Sequence, residues 1–309
     1  MDTVNPGPSP APAYVSAGLS GRTLASAVTL DGGTVAFWTY EPLEVTPDTR
    51  TILVVHGFRG DHHGLLRVAD QLPDMRIIMP DLPGFGSSDA FTHGPHSVER
   101  YGRFIFDFMA ALGLGRDTVL LGHSFGSIVA AHFVASNPDA VRPLILINPI
   151  AAPALEGPKG VMTRLAVLYY KLAARLPRRP GLALLRNPVI VRVMSETMAK
   201  TRDPGLRAYI HGQHHAYFSS FADRDSLLES FTASVSHHVA EVAGLLQLPV
   251  LLVAGEKDEI ATLPSQHRLL GMLPDGELKV IPGVGHLIHY ETPEPAARYI
   301  RSFLKDHPA

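Results

Sequence analysis

A serine framed by glycines stands in Gly122-His123-Ser124-Phe125-Gly126, directly after the apolar run DTVLLG and before the run VAAHFVA. Between a strand and a helix, a G-x-S-x-G pentapeptide makes a sharp turn with the serine at its tip. The hydroxyl then sits at a helix N-terminus, where free N–H groups and the dipole favour developing negative charge. The same serine would serve equally to cap the helix, but the strand before it and the helix after it favour a nucleophile. A serine nucleophile needs a base, and the base needs an orienting carboxylate. The run PVLLVAG is followed by Glu256, Asp258 and Glu259, and ELKVI-PGVG by His286. The three acids compete for one role, and His289 is the rival of His286. After the earlier run PLILIN, another place for an acid, stands Asn148, which cannot ionise. An oxyanion needs two converging N–H groups. Phe125, next to the serine, offers one, and Phe58, in the His56-Gly57-Phe58 loop after TILVV, offers the other. His56 reads as a structural hydrogen-bonding residue.

The elements that must position these groups alternate along the chain. LASAVTLDGGTVAFWTYEP (24–42) reads as two strands joined by a turn at Asp31-Gly32-Gly33. The runs 51–55, 76–80, 117–122, 143–148, 249–255 and 277–281 are apolar without alternation, as parallel strands covered on both faces are. Helical patterns lie at 61–71, 97–112, 124–136, 262–273 and 293–305. Alternating β and α predict an α/β class with a doubly wound, mostly parallel sheet. Residues 149–236 break this rhythm and read as helices interrupted at Pro177, Pro180, Pro188 and Pro204, an inserted helical cap. The expected division is a disordered Pro/Ala-rich tail at 1–21, a core at 22–148 and 237–309, and the cap at 149–236. The cap carries an excess of Lys and Arg, although the whole chain of 309 residues has a net charge of −2.

That balance gives no sign of a nucleic-acid partner. The absence of cysteine excludes disulfides, a thiolate nucleophile and Cys-ligated zinc. The pairs His62-His63, His214-His215 and His237-His238 lack a helical H-x-x-x-H spacing with a nearby acid, so no metal site is expected. No run reaches the roughly 18–20 apolar residues of a membrane span. The N-terminus lacks a secretory pattern, so a cytoplasmic location is expected.

HGFRG at 56–60, DLPGFGSSD at 81–89, GHSFG at 122–126, GEKD at 255–258 and GVGHLIHYETPE at 283–294 occur in an order that resembles the α/β-hydrolase superfamily, in its cap-bearing subgroup. The resemblance spans 27–148 and 249–306 and leaves out the cap. It implies the α/β-hydrolase fold, Ser124 as nucleophile, Asp258 as acid and His286 as base, with Asp81 structural in a loop bent at Gly84 and Gly86. Serine at the elbow argues against the dehalogenases and epoxide hydrolases of that superfamily, which use Asp. The expected activity is hydrolysis of a small-molecule carboxylic ester or other acyl substrate through an acyl-enzyme, with no cofactor. Alternatives are a meta-cleavage carbon–carbon hydrolase, a cofactor-free perhydrolase or lactonase, and a non-catalytic binding protein of this fold. Meta-cleavage relatives usually carry Trp soon after the catalytic His; here Leu287 follows His286 and the sole tryptophan is Trp38. His123, Tyr169, Phe218 and Phe221 are candidate substrate-contacting side chains, in a set of aromatics that also includes Phe104 and Tyr170. The cap's mix of apolar and basic residues suits an ordinary amphipathic packing or contact with a lipid interface. Nothing in the sequence sets an oligomeric state.

Overall fold

The computed structural model describes residues 14–153 and 160–308. Eight strands form one sheet: β1 (Thr23–Leu30), β2 (Gly33–Tyr40), β3 (Thr51–Val55), β4 (Arg76–Pro80), β5 (Val119–His123), β6 (Leu144–Ile147), β7 (Val250–Gly255) and β8 (Gly276–Ile281). Their spatial order is β1-β2-β4-β3-β5-β6-β7-β8. The β1–β2 and β2–β4 pairs are antiparallel, and every later pair is parallel. The hairpin turn has φ of 49° at Asp31 and 76° at Gly32, the double positive φ that matches the twist of two-residue hairpins.

Twelve α-helices are found among the described residues. In the first half are α1 (Ala17–Gly21), α2 (Leu66–Asp70), α3 (Val98–Leu112) and α4 (Phe125–Ser136). Between β6 and β7 come α5 (Gly160–Arg175), α6 (Arg178–Leu185), α7 (Pro188–Met198), α8 (Pro204–Tyr217) and α9 (Arg224–Ser236). The chain closes with α10 (Leu263–Leu270), α11 (Ile288–Glu291) and α12 (Pro293–Asp306). The sheet is thus an α/β layer structure with a helical insertion. Alternate strand residues feed two cores, because successive side chains point to opposite faces. Leu53, Val55, Leu120, Leu144, Leu146, Val250 and Leu252 face α3 and α4, while Ile52, Val54, Leu121, Ile145, Ile147, Leu251 and Val253 face α12. This two-sided burial explains the runs without alternation. Among the described residues no helix is long and apolar enough to cross a membrane.

Two local expectations change. Residues 17–21, within the stretch expected to be a disordered tail, form α1: the Ser16 amide and hydroxyl bond Asp70, and Leu19 is buried in the α12-side core. Residues 1–13 of that stretch lie outside the described residues. Pro180 does not interrupt a helix. It sits in the first turn of α6, where N–H groups have no intrahelical acceptor and proline loses nothing. Pro188 and Pro204 do start α7 and α8, behind the caps Asn187 and Asp203.

The insertion meets the core over the loop that follows β4. Gly86 N donates to Ser220 O (2.8 Å), Ala222 N to Gly84 O (3.0 Å), and Phe85 pairs with Phe221 as an antiparallel bridge. Gly84 and Gly86 have φ of 88° and 56°. A Cβ on Gly86 would lie 2.1 Å from Asp81 Oδ2. Asp81 is fully buried; its Oδ1 accepts from His62 N and His62 Nδ1 (both 2.9 Å) and its Oδ2 from Ser87 N (2.8 Å).

Candidate active site

β3 has β4 on one side and β5 on the other, so the chain reverses its direction of winding there. Crevices form at the carboxyl ends of strands at such a point. The loop after β3 carries Phe58, and the turn after β5 carries Ser124. Ser124 adopts φ 53° and ψ −118°, and its side chain makes no capping bond to α4. The cap reading of this serine is therefore not realised. A non-glycine residue at such a φ is strained, and the turn is held by close approaches around it. A Cβ on Gly122 would lie 2.5 Å from Gly126 O, and one on Gly126 would lie 2.1 Å from Val55 O. Only glycine lets α4 pass so near β3 and β5.

Ser124 Oγ lies 2.8 Å from His286 Nε2. His286 Nδ1 lies 2.8 Å from Asp258 Oδ2. Asp258 Oδ1 accepts from the amides of Ile260 (2.9 Å) and Ala261 (3.0 Å), and Oδ2 also accepts from Asn148 Nδ2 (2.8 Å). Burial would raise the Asp258 pKa, but His286 and the two amides outweigh it and hold the carboxyl below its ordinary value. The carboxylate is thus ionised and aimed at the imidazole. The rival acids are engaged elsewhere: Glu256 accepts from Gly283 N (2.7 Å), and Glu259 pairs with Lys200 (2.8 Å).

The loops bearing acid and base are joined to each other. Lys257 N donates to Val284 O (2.8 Å), Glu256 N to Ile281 O (3.0 Å), and Asn148 Nδ2 also reaches Gly285 O (3.2 Å). A Cβ on Gly255 would lie 2.3 Å from Gly285 O. Asn148, set aside in the sequence because it cannot ionise, is a donor linking both loops. Its φ of 46° ends β6 in a turn toward them. The signal that could have found it is its position at the tip of a central strand.

The remaining candidates fall into three groups. Phe125 is the first residue of α4, so its N–H has no intrahelical acceptor. Phe58 sits in a turn closed by Gly60 N to Gly57 O (3.0 Å), and its ring meets Phe85 (6.0 Å), Tyr170 (5.8 Å) and Phe231 (5.8 Å). His56 has the structural role expected of it: Nε2 accepts from Leu82 N and Nδ1 donates to Gly57 O, both 2.8 Å. His123 is buried against His289 (4.1 Å between ring centres) and near His286 (5.8 Å), and burial pushes its pKa down to about 3. His289 lies in α11, also buried and driven toward the neutral form. Of the aromatics, Tyr169 donates to Leu184 O (3.1 Å), Phe218 stacks on His214 (4.0 Å) and Phe221 is buried under Arg59 and Arg186. Phe104 packs against Phe108 in the core between α3 and the sheet.

Sequence reasoning missed Arg59 and Phe231. Arg59 has φ 59° and is fully buried, although it belongs to the loop that carries Phe58. Its Nε donates to Phe218 O (2.9 Å), Nη2 to Leu185 O (2.7 Å) and Nη1 to the Tyr170 hydroxyl (3.2 Å). One guanidinium thus ties the core loop to α5, α6 and the end of α8. Phe231 stacks on Tyr170 at 3.8 Å and completes the aromatic wall over Phe58.

Comparison with known proteins matches residues 52–299 to the model of the alpha/beta hydrolase family. A lipase, Lipase 3 of Moraxella sp., is 23% identical over 259 residues, covering 82% of this chain and 76% of the lipase. The 2-hydroxy-6-oxononadienedioate/2-hydroxy-6-oxononatrienedioate hydrolase 2 of Pseudomonas putida is 24% identical, covering 82% of this chain and 87% of that protein. Among solved structures, the malate-bound thermophilic esterase of Thermogutta terrifontis superposes with a TM-score of 0.69 at 24% identity, covering 92% of this chain and 98% of the esterase.

Proposed function

The chain belongs to the alpha/beta hydrolase family, and we propose that it is a serine hydrolase of carboxylic esters working through an acyl-enzyme. The observation that carries this reading is the unbroken relay Ser124 Oγ–His286–Asp258, with 2.8 Å at both links. His286 Nε2 takes the hydroxyl proton as Oγ attacks the ester carbonyl carbon. The carbonyl π electrons move to oxygen, where the amides of Phe58 and Phe125 receive the charge. His286 returns the proton to the departing alcohol as the C–O bond breaks. Water, deprotonated by the same imidazole, then releases the acid and regenerates Ser124. Asp258 keeps Nδ1 protonated so that Nε2 faces the serine. The rings of Tyr170, Phe221 and Phe231 form the apolar ground near the Phe58 loop, and His123 packs behind the imidazole. Tyr169 and Phe218 bound the same region through their contacts with Leu184 and His214.

Ser124→Ala is expected to lower p-nitrophenyl ester turnover by roughly 10⁴–10⁶-fold with an unchanged melting temperature. Labelling of the wild-type chain by a fluorophosphonate, lost in the variant, tests the nucleophile independently. A wild-type chain that is neither labelled nor active on esters would fit a non-catalytic binding protein, and preferential turnover of a ring-fission dienone would fit carbon–carbon cleavage.

A lipid interface as the place of action rests on a separate observation. Leu165, Leu168 and Leu172 are 54%, 59% and 50% exposed on one side of α5, with Val189 and Val193 also exposed on α7. Arg164, Lys171, Arg175 and Arg192 stand beside them. Apolar rows edged with cations suit the boundary of an anionic lipid layer. Micellar esters are then hydrolysed faster than monomeric ones of the same chain; equal rates would remove this reading and leave the esterase one intact.

A further inference from the structure

His132 lies in the last part of α4, the helix opened by the nucleophile turn. His237, His238 and Glu241 lie where the chain leaves α9 and heads back to β7. These segments are distant in sequence, and the fold brings them together. Glu241 Oε2 is 3.0 Å from His237 Nδ1 and 3.3 Å from His132 Nε2. The three donor atoms all fall within 4.8 Å of one another. In a tetrahedral site with bonds of about 2.0–2.2 Å, neighbouring ligand atoms stand roughly 3.3–3.5 Å apart. The two contacts to Glu241 are close to that edge length.

The 3.3 Å contact is not a hydrogen bond. His132 Nε2 is buried and has no hydrogen-bond partner among the described residues. A buried nitrogen facing a carboxylate oxygen with no hydrogen bond made is a donor left over for another partner, and a shared ion would satisfy both atoms. The carboxylate is itself aimed: His238 N donates to Glu241 Oε1 (3.2 Å), which turns Oε2 toward the two imidazoles. Such outer hydrogen bonds orient metal ligands. The His237 and Glu241 side chains are 34% and 30% exposed, so an ion would enter from their side, while His132 borders a surface cavity of about 280 Å³ with Glu99, Arg103 and Asn137.

A second grouping, Asp61, His62 and His63, does not compete. His62 is committed to Asp81 through Nδ1 and lies stacked on Trp38 at 3.3 Å between ring centres.

We propose that His132, His237 and Glu241 form a binding site for a divalent transition-metal ion of the zinc class, remote from Ser124, with solvent as the fourth ligand. Two imidazoles and one carboxylate select Zn²⁺, Co²⁺ or Ni²⁺ over the hard cations Mg²⁺ and Ca²⁺. The ion would fasten the segment that ends the insertion to the back of the nucleophile helix. A spacing rule applied to helical H-x-x-x-H patterns has no means of finding it, because its ligands come from two elements.

The test uses the full chain, stripped with EDTA and dialysed. Zn²⁺ titration should give one ion per chain by elemental analysis. The melting temperature should rise by roughly 3–6 °C at a hundredfold excess over the dissociation constant. Co²⁺ should give the intense visible absorption of a four-coordinate site. His132→Gln and Glu241→Gln, each checked for a native circular-dichroism spectrum, should lose the ion and the shift while keeping ester turnover; His63→Gln should keep all three. Failure of the wild-type chain to bind either ion, or binding undiminished in folded His132→Gln, overturns the proposal. Were both variants to misfold, the Co²⁺ spectrum of the wild-type chain decides: a weak six-coordinate band counts against the site.

Discussion

The sheet core and the helical insertion are held in different ways. In the core, position is set by backbone against backbone: a Cβ on Gly122, Gly126 or Gly255 would lie 2.1–2.5 Å from a carbonyl oxygen. The insertion has one such approach, a Cβ on Gly181 lying 2.5 Å from Ala173 O, and a backbone bridge at Phe85–Phe221, but it adds long side chains that reach main-chain carbonyls. Arg59 takes Phe218 O and Leu185 O, Arg186 takes Phe221 O, and Arg224 takes Leu176 O. Backbone contacts of the first kind tolerate no added atom. Side-chain contacts of the second kind can be lost singly.

The sharpest way to break this contrast is Gly126→Ala. With Val55 O 2.1 Å from the new Cβ, α4 must move off β3, and a destabilisation above about 4 kcal/mol is expected. Soluble yield and thermal melting check it; a well-folded variant would mean that the core is as forgiving as the insertion. Next comes Asp258→Asn, expected to lower kcat by about 10⁴-fold with the fold retained. Glu256→Gln, which changes an acid two residues away, should leave the rate within a few-fold.

In the insertion, Arg59→Met removes one charged donor from two carbonyls and a hydroxyl, for a cost of roughly 3 kcal/mol. KM should rise more than kcat falls. A loss confined to kcat would place Arg59 with the core chemistry and erase the distinction. The last effect, confined to acid pH, concerns a histidine of the insertion. His214, buried in α8, has its pKa pushed down by burial from 6.5 to about 3. Below pH 6.5 the unfolded chain takes up a proton that the folded chain refuses until about pH 3, so stability falls across that window. His214→Phe should flatten the decline in urea midpoint between those pH values. If the insertion melts separately from the sheet, the flattening appears in only one of two transitions.

Much of the core was legible because its physics is local. Apolar runs without alternation, each ending in a turn, fix strands buried on both faces, and Gly-x-Ser-x-Gly after such a run fixes the turn. Asp258 and His286 could be placed at one rim because parallel strands put their following loops on the same edge. Spacing alone does not choose among Glu256, Asp258 and Glu259, since all three follow β7; the family resemblance points to Asp258, the one whose carboxylate meets His286. Arg59 was illegible: nothing marks a positive residue in an exposed-looking loop as fully buried until helices from the insertion close over it. Asn148 shows in the sequence only its lack of charge, while its amide hydrogens are what join the two loops. The cluster around Glu241 and the anchoring of α1 by Asp70 likewise depend on partners far along the chain.

The glycine-to-glycine approach between the ends of β7 and of the loop bearing His286 has a mechanical consequence. The loops of Asp258 and His286 are fastened to each other, so in the proposed reaction a bulky or ill-fitting guest would move the two groups together. What such a guest can disturb is the one remaining joint, where the alcohol meets the imidazole. On the proposed reaction, sensitivity to how a substrate seats is therefore concentrated in the 2.8 Å gap between Ser124 and His286.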